Sequence, residues 1–140
     1  MRKYLNKLTS DLSLDRYKIL KDLNEIQFFE YENVKNLQKE KLSNLLQHSF
    51  EVPYYRRCLE KLGLSIDALE SDNPIDILRR MPILSKDLLR DNYYDLHASD
   101  HKRRGSQINY TGGSTGVPSK FLQDSNYKEH SQAYKSLAYS

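Results

Sequence analysis

The stretch "INYTGGSTGVPSKFLQD", Ile108 to Asp124, holds three of the chain's five glycines, Gly112, Gly113 and Gly116. Thr111, Ser114 and Thr115 place hydroxyls before and between them, and Pro118 closes the run. On one side, "SQINYT" alternates polar and apolar side chains and carries Ile and Tyr, which predicts a strand over about 107–111. On the other, "SKFLQ" predicts a second short extended stretch. The run therefore lies between two strands and does not lead directly into a helix. Glycine lacks the Cβ that blocks certain backbone angles, so successive N–H groups can point into one concavity. Neighbouring hydroxyls add donors for phosphate oxygens, and Lys120 adds positive charge. A flexible hairpin turn accounts for two of the glycines but leaves the density of hydroxyls unexplained.

Other loop chemistries fit less well. The Walker pattern G-x-x-x-x-G-K-[ST] fails because Gly112 to Gly116 encloses one residue too few and Val117 occupies the lysine's place. The dinucleotide fingerprint G-x-G-x-x-G fails on the spacing of the same glycines. Gly112-Gly113-Ser114-Thr115-Gly116 does satisfy G-x-S-x-G, the elbow of serine hydrolases. That elbow needs a helix immediately after it, where Pro118 and "KFLQ" stand. It also needs an acid and a histidine following the serine, and the sole later histidine is His130, on a predicted helix.

Upstream the periodicity is helical. Ile19, Leu23 and Ile26 recur at helical spacing, as do Leu42, Leu45, Leu46 and Phe50. No glycine or proline interrupts Met1 to Val52, and a break over 31–36 divides the region into two helices. The apolar spacing is not a sustained heptad, so packing within a domain is expected rather than a coiled coil. Pro53 opens "PYYRRCLEKLG", with Gly63 as its C-terminal cap. "SIDALESDNPIDILRRMP" reads as short helical turns, with Asn73 before Pro74 and a stop at Met81 before Pro82. "ILSKDLLRDNYY" reads as a short helix with Ser85 as N-cap and Asp87 in its first turn. "DSNYKEHSQAYKSLAYS" is a helix capped by Asp124 or Ser125. The expected organisation is a helical region over 1–104, followed at 105–140 by the start of a sheet-containing core, an α+β pattern.

Composition narrows the function classes. With 38% hydrophobic and 29% charged residues, the chain is expected to be soluble and cytoplasmic. No apolar run approaches the roughly 20 residues needed to span a bilayer, and "MRKYLNKLTS" lacks the apolar core of a signal peptide. Cys58 is the single cysteine, so no internal disulfide forms, and a half-buried helix position is its expected role. The charge of +3 is modest. Its one cluster, "HKRRG" at His101 to Gly105, is expected to be a solvated loop rather than a nucleic-acid contact. His48, His97 and His101 have spacings that fit no common metal site. Tyr54 and Tyr55 are expected to pack, with Arg56 pairing with a carboxylate across the helical layer.

The glycine-rich run resembles the Ser/Thr-rich nucleotide loop of the adenylate-forming enzymes, the superfamily of acyl-CoA synthetases. Within it, the resemblance is to the branch of phenylacetate-CoA ligase and the capsular polysaccharide biosynthesis protein CapK. "HSFEVPYYRRCLEKLG" (His48 to Gly63) is similar to that branch's "H…VPYYR…G" helix, and "LRRMPILSKDLLRDN" (Leu78 to Asn92) to its "L…LPxLTKxDLR" segment. The three matches stand in the family's order over 37–124. The resemblance implies an α/β fold, with a helical layer preceding the first strands of the family's large N-terminal domain. It implies that ATP, with Mg2+, and a carboxylic acid form an acyl-adenylate and pyrophosphate, after which coenzyme A or another acceptor takes the acyl group. It assigns phosphate binding to Thr111, Gly112, Gly113, Ser114, Thr115, Gly116 and Lys120, and no catalytic residue or metal ligand in these 140 residues. Two positions depart from the pattern. Gly113 replaces the common serine, and Lys120 stands one position later than the lysine of the wider family.

Members of the family are much longer, so the resemblance implies an N-terminal part of such an enzyme, inactive by itself, whose remaining partner is the rest of the same protein. A helical interaction module without catalysis is the alternative, and a serine hydrolase the weaker one.

Overall fold

The computed structural model describes residues 14–112 and 118–139. Its order is α1 (Leu14–Ile26), α2 (Tyr31–Ser49), α3 (Pro53–Lys61), α4 (Ala68–Ser71), α5 (Pro74–Arg80), α6 (Lys86–Asp91), β1 (Gln107–Tyr110), β2 (Lys120–Gln123) and α7 (Ser125–Ala138). The described chain is thus mainly helical with one antiparallel two-stranded sheet, an α+β arrangement.

The short helices begin where local chemistry tells them to. Asn73 accepts from the Ile75 amide ahead of α5, and Pro74 fills a first-turn position that has no need of an N–H. Ser85 accepts from the Leu88 amide at α6, and Asp124, not Ser125, accepts from the Tyr127 amide at α7, 2.7 Å away. Each relieves one of the unpaired donors that every helix N-terminus exposes.

Helix α3 ends in a Schellman turn. Gly63 takes φ +72°, the Gly63 amide donates to Glu60 (2.9 Å) and the Leu64 amide to Leu59 (3.0 Å). The left-handed angle suits a residue without Cβ. The turn also folds Leu64 back beside Leu59 in the core, the hydrophobic contact that usually accompanies this motif. Arg80 Nη2 covers a further helix-end carbonyl, that of Leu62, at 2.9 Å.

That core consists of Leu46 from α2, Leu59 from α3, Leu64, Leu69 from α4 and Ile77 from α5, flanked by Leu42, Phe50, Leu62, Ala68 and Met81. The α2 stripe is narrower than expected. Leu46 is buried, but Leu45 is 62% exposed. On a helix the two point about 100° apart, and only one of them can face α4 and α5. The break between α1 and α2 falls at 27–30 rather than 31–36. The Phe28 and Phe29 amides bond three residues back, and Glu30 leaves helical geometry at ψ 147° before α2 starts at Tyr31. Arg56 also differs from expectation. Its Nε donates to the Phe50 carbonyl (2.6 Å), and the neighbouring Arg57 makes the carboxylate pair, to Asp95 at 2.6 Å.

Helix α1 packs on α7, so the first and last described helices lie together. Arg16 and Glu129 pair across this contact. None of the described helices is long and apolar enough to cross a membrane.

Candidate functional site

The segment that joins β1 to β2 carries the glycine-rich run. The strands pair Gln107 with Gln123, Ile108 with Leu122, Asn109 with Phe121 and Tyr110 with Lys120. Gly105, at φ +64°, turns the chain into β1. Beyond the last strand pair, the Thr111 amide donates to the Ser119 carbonyl (2.9 Å), and the Ser119 amide donates to Thr111 Oγ1 (2.9 Å). The ladder is thus extended by a side chain, and Ser119 is buried at 2% exposure. This two-bond clasp holds the two ends of the connection together, and the Thr111 hydroxyl still carries a proton it can donate. Gly112 is exposed, with nothing within 4 Å of where a Cβ would stand. Gly113, Ser114, Thr115 and Gly116 lie outside the described residues.

Lys120 projects toward the helical layer. Its Nζ lies 4.4 Å from the centroid of the Tyr93 ring, a cation–π distance. Tyr93 in turn meets Tyr94 and His97 edge-on, at 5.2 and 4.5 Å between centroids. Sequence reading did not single out Tyr93, because its link to Lys120 crosses 27 positions of sequence with no local signal. The elbow reading meets a geometric obstacle here. Pro118 and Ser119 lead into β2, not into a helix, whereas a nucleophile elbow turns straight from strand into helix.

Behind the hairpin, Arg104 joins α2 to the start of α7. Its Nη2 pairs with the α7 cap Asp124 at 2.5 Å, and its Nη1 contacts His48 Nε2 of α2 at 3.2 Å. Arginine can only donate, so the imidazole nitrogen accepts. The basic cluster at 101–105 is therefore partly a structural bracket, with Lys102 and Arg103 exposed to solvent. A cavity of about 620 Å³ beside it is lined by His97, Asp100, His101, Arg104, Asp124 and His130, among others.

His101 Nδ1 contacts the Ala98 carbonyl at 2.8 Å, which makes that nitrogen the donor. His97 Nε2 and Asp100 Oδ1 are enclosed and lack a hydrogen-bond partner among the described residues. Burial holds the His97 pKa below its ordinary value, with His101 and Lys120 pushing the same way. Among the described residues, no three His, Cys, Asp or Glu side chains are gathered so as to hold a metal ion.

No protein-family model matches the chain, and no curated protein matches it.

Proposed function

We propose that the chain is the N-terminal part of an ATP-dependent adenylate-forming ligase. In this reading it helps activate a carboxylic acid as an acyl-adenylate for transfer to coenzyme A or another acceptor. The observation that carries the reading is the clasp of Thr111 and Ser119 at the base of the hairpin. It ties the two ends of a glycine- and hydroxyl-rich turn together, on strands whose register is set by pairing. A loop tethered in this way loses less freedom when it closes on an anion than a free linker does. Backbone amides of Gly112, Gly113 and Gly116, with the hydroxyls of Thr111, Ser114 and Thr115, would then receive the β- and γ-phosphates. They would compensate charge as pyrophosphate departs. Mg2+ would arrive with the nucleotide, since it prefers phosphate oxygens and water to a cage of protein ligands.

An interaction module without catalysis is the second reading. It draws on the exposed apolar residues of β1, Ile108 at 51% and Tyr110 at 63%, on a strand that has only β2 for a neighbour among the described residues. The coding sequence beyond Ser140 discriminates, together with ATP–pyrophosphate exchange by the protein it encodes. The ligase reading expects exchange that depends on a carboxylic acid and falls roughly tenfold or more in Ser114→Ala/Thr115→Ala. Absence of exchange with any acid, or a stop codon directly after Ser140, turns the balance to the second reading.

A further inference from the structure

The pairing of β1 with β2 decides which way each backbone group of β1 faces. Thr111 and Ser119 exchange bonds across the ladder, and in an antiparallel pair bonded positions alternate with unbonded ones. Gln107 and Asn109 therefore bond inward to Gln123 and Phe121, their partners in the register. Ile108 and Tyr110 turn their N–H and C=O groups outward, where no partner meets them among the described residues. Their side chains are exposed too, at 51% and 63%. Nothing in the strand guards this edge. Residues 106–112 carry neither charge nor proline, the devices that ordinarily stop an edge from pairing.

The edge is complementary to a second copy of itself. Laid antiparallel about a two-fold axis at Asn109, β1 sets Ile108 opposite Tyr110 of the second copy, and Tyr110 opposite Ile108. Each of these pairs exchanges two backbone bonds and joins a β-branched to an aromatic side chain, a favoured cross-strand combination. Asn109 meets its own copy at the axis, in the unbonded kind of pair whose Cα atoms approach to about 4.5 Å. Charge favours this direction as well. At roughly 3.4 Å per residue, Arg104 stands about 17 Å from the axis, and the second copy's basic run lies at the opposite end. That separation is well beyond the screening length of about 8 Å, whereas a parallel partner would set the two basic runs side by side. A foreign strand would find no charge on β1 by which to be selected.

We propose that the outer edge of β1 is a self-association surface, on which two copies of the chain pair antiparallel through Ile108, Asn109 and Tyr110 into one four-stranded sheet. A contact of one short strand is far smaller than the roughly 800 Å² per partner of a stable complex, so the dimer is weak and grows with concentration. The inference goes beyond the ligase reading and does not rest on it. Pyrophosphate exchange reports on that reading, and association on this one.

Sedimentation of the 140-residue chain tests association, and cross-linking tests its register. Between about 10 µM and about 1 mM, the span of weak complexes, the dimer fraction is expected to rise. Ile108→Pro removes an N–H that the monomer does not use, a place where an edge strand accepts proline. It should abolish the dimer and leave the circular dichroism unchanged. In a Cys58→Ser background, Asn109→Cys is expected to form a symmetric disulfide, because the two Cα atoms lie within disulfide reach. Gln107→Cys, Ile108→Cys and Tyr110→Cys each lie too far from their own copies, and should cross-link about tenfold more slowly or less.

A chain that stays monomeric throughout overturns the proposal and leaves the edge to some other strand. A dimer that Ile108→Pro leaves intact is held elsewhere and overturns it too. Should Ile108→Pro fail to fold, Ile108→Lys, which puts a charge on the same exposed position, takes its place. Cross-linking of Asn109→Cys no faster than that of the other three variants contradicts the register and the proposal with it.

Discussion

Arg16 of α1 and Glu129 of α7, 113 residues apart, are joined by a two-pronged ion pair, Nε to Oε2 at 2.9 Å and Nη2 to Oε1 at 3.2 Å. Both side chains are about three-quarters shielded, at 23% and 22% exposure, which limits screening by salt. The forked geometry matches guanidinium to carboxylate and fixes the direction in which the two helices meet. Glu129→Ala is expected to destabilise the chain by about 1 kcal/mol, the upper end for partly exposed pairs. Urea unfolding at low and at high salt checks this. An unchanged midpoint at both would mean that the pair contributes nothing to docking α1 on α7.

Leu59 is fully buried and Leu45 is 62% exposed, although both are leucines on helices. Leu59→Ala should cost about 2–5 kcal/mol, because it removes apolar contact and leaves a cavity. Leu45→Ala should stay within about 0.5 kcal/mol of wild type. Equal losses in the two variants would contradict a packing of α2 in which Leu46 alone of the pair faces the core.

Asp124 does two jobs. One oxygen caps α7 through the Tyr127 amide and the other pairs with Arg104. Asp124→Ala should cost about 1–2 kcal/mol. Asp124→Asn, which keeps an acceptor for the cap, should recover more than half of that loss. Thermal unfolding of the two variants separates the contributions, and equal losses would mean that the ion pair rather than the cap matters.

His97 gives the fold a pH dependence of definite sign. Its pKa in the folded chain is lowered, first by burial and then by His101 and Lys120. Well above pH 6.5 both folded and unfolded chains leave it neutral, and it does not alter stability. As the pH falls through that value the unfolded chain takes up the proton first, so stability drops until the folded pKa is passed. His97→Phe keeps an aromatic ring beside Tyr93 but cannot titrate. Its loss of stability between about pH 7.5 and about pH 5.5 should be smaller than that of wild type. An equal loss would show that other groups carry the acid sensitivity.

How far the sequence could be read divides along the range of the interactions. Asn73, Pro74, Ser85 and Asp124 mark helix starts by bonds spanning two or three residues, and Gly63 marks an end through its own φ, so these were legible. The strand at 107–110 is marked by alternation and by Ile108 and Tyr110, whereas the one at 120–123 has Phe121 but no alternation. The turn at 27–30 carries no glycine or proline and shifted from its expected place. Leu45 shares the periodic stripe with Leu46 yet faces solvent, because i, i+3 and i, i+4 neighbours both satisfy a helical period and only tertiary contact chooses between them. Within the site, Thr111 and the loop glycines stood out by composition. The Ser119 clasp, the Tyr93 platform and the bracket of Arg104 with His48 and Asp124 did not, because residues far apart in sequence meet there without any repeated pattern.

The ligase reading needs the turn between β1 and β2 to receive the phosphates of a nucleotide. Amide resonances of Gly112, Gly113, Ser114, Thr115 and Gly116, tracked by NMR as ATP with Mg2+ is added, test this most directly. These amides are expected to shift together along one saturable curve, with Ser114→Ala weakening the affinity. Stationary loop amides while ATP binds elsewhere, for example at Lys102 and Arg103, would contradict the claim.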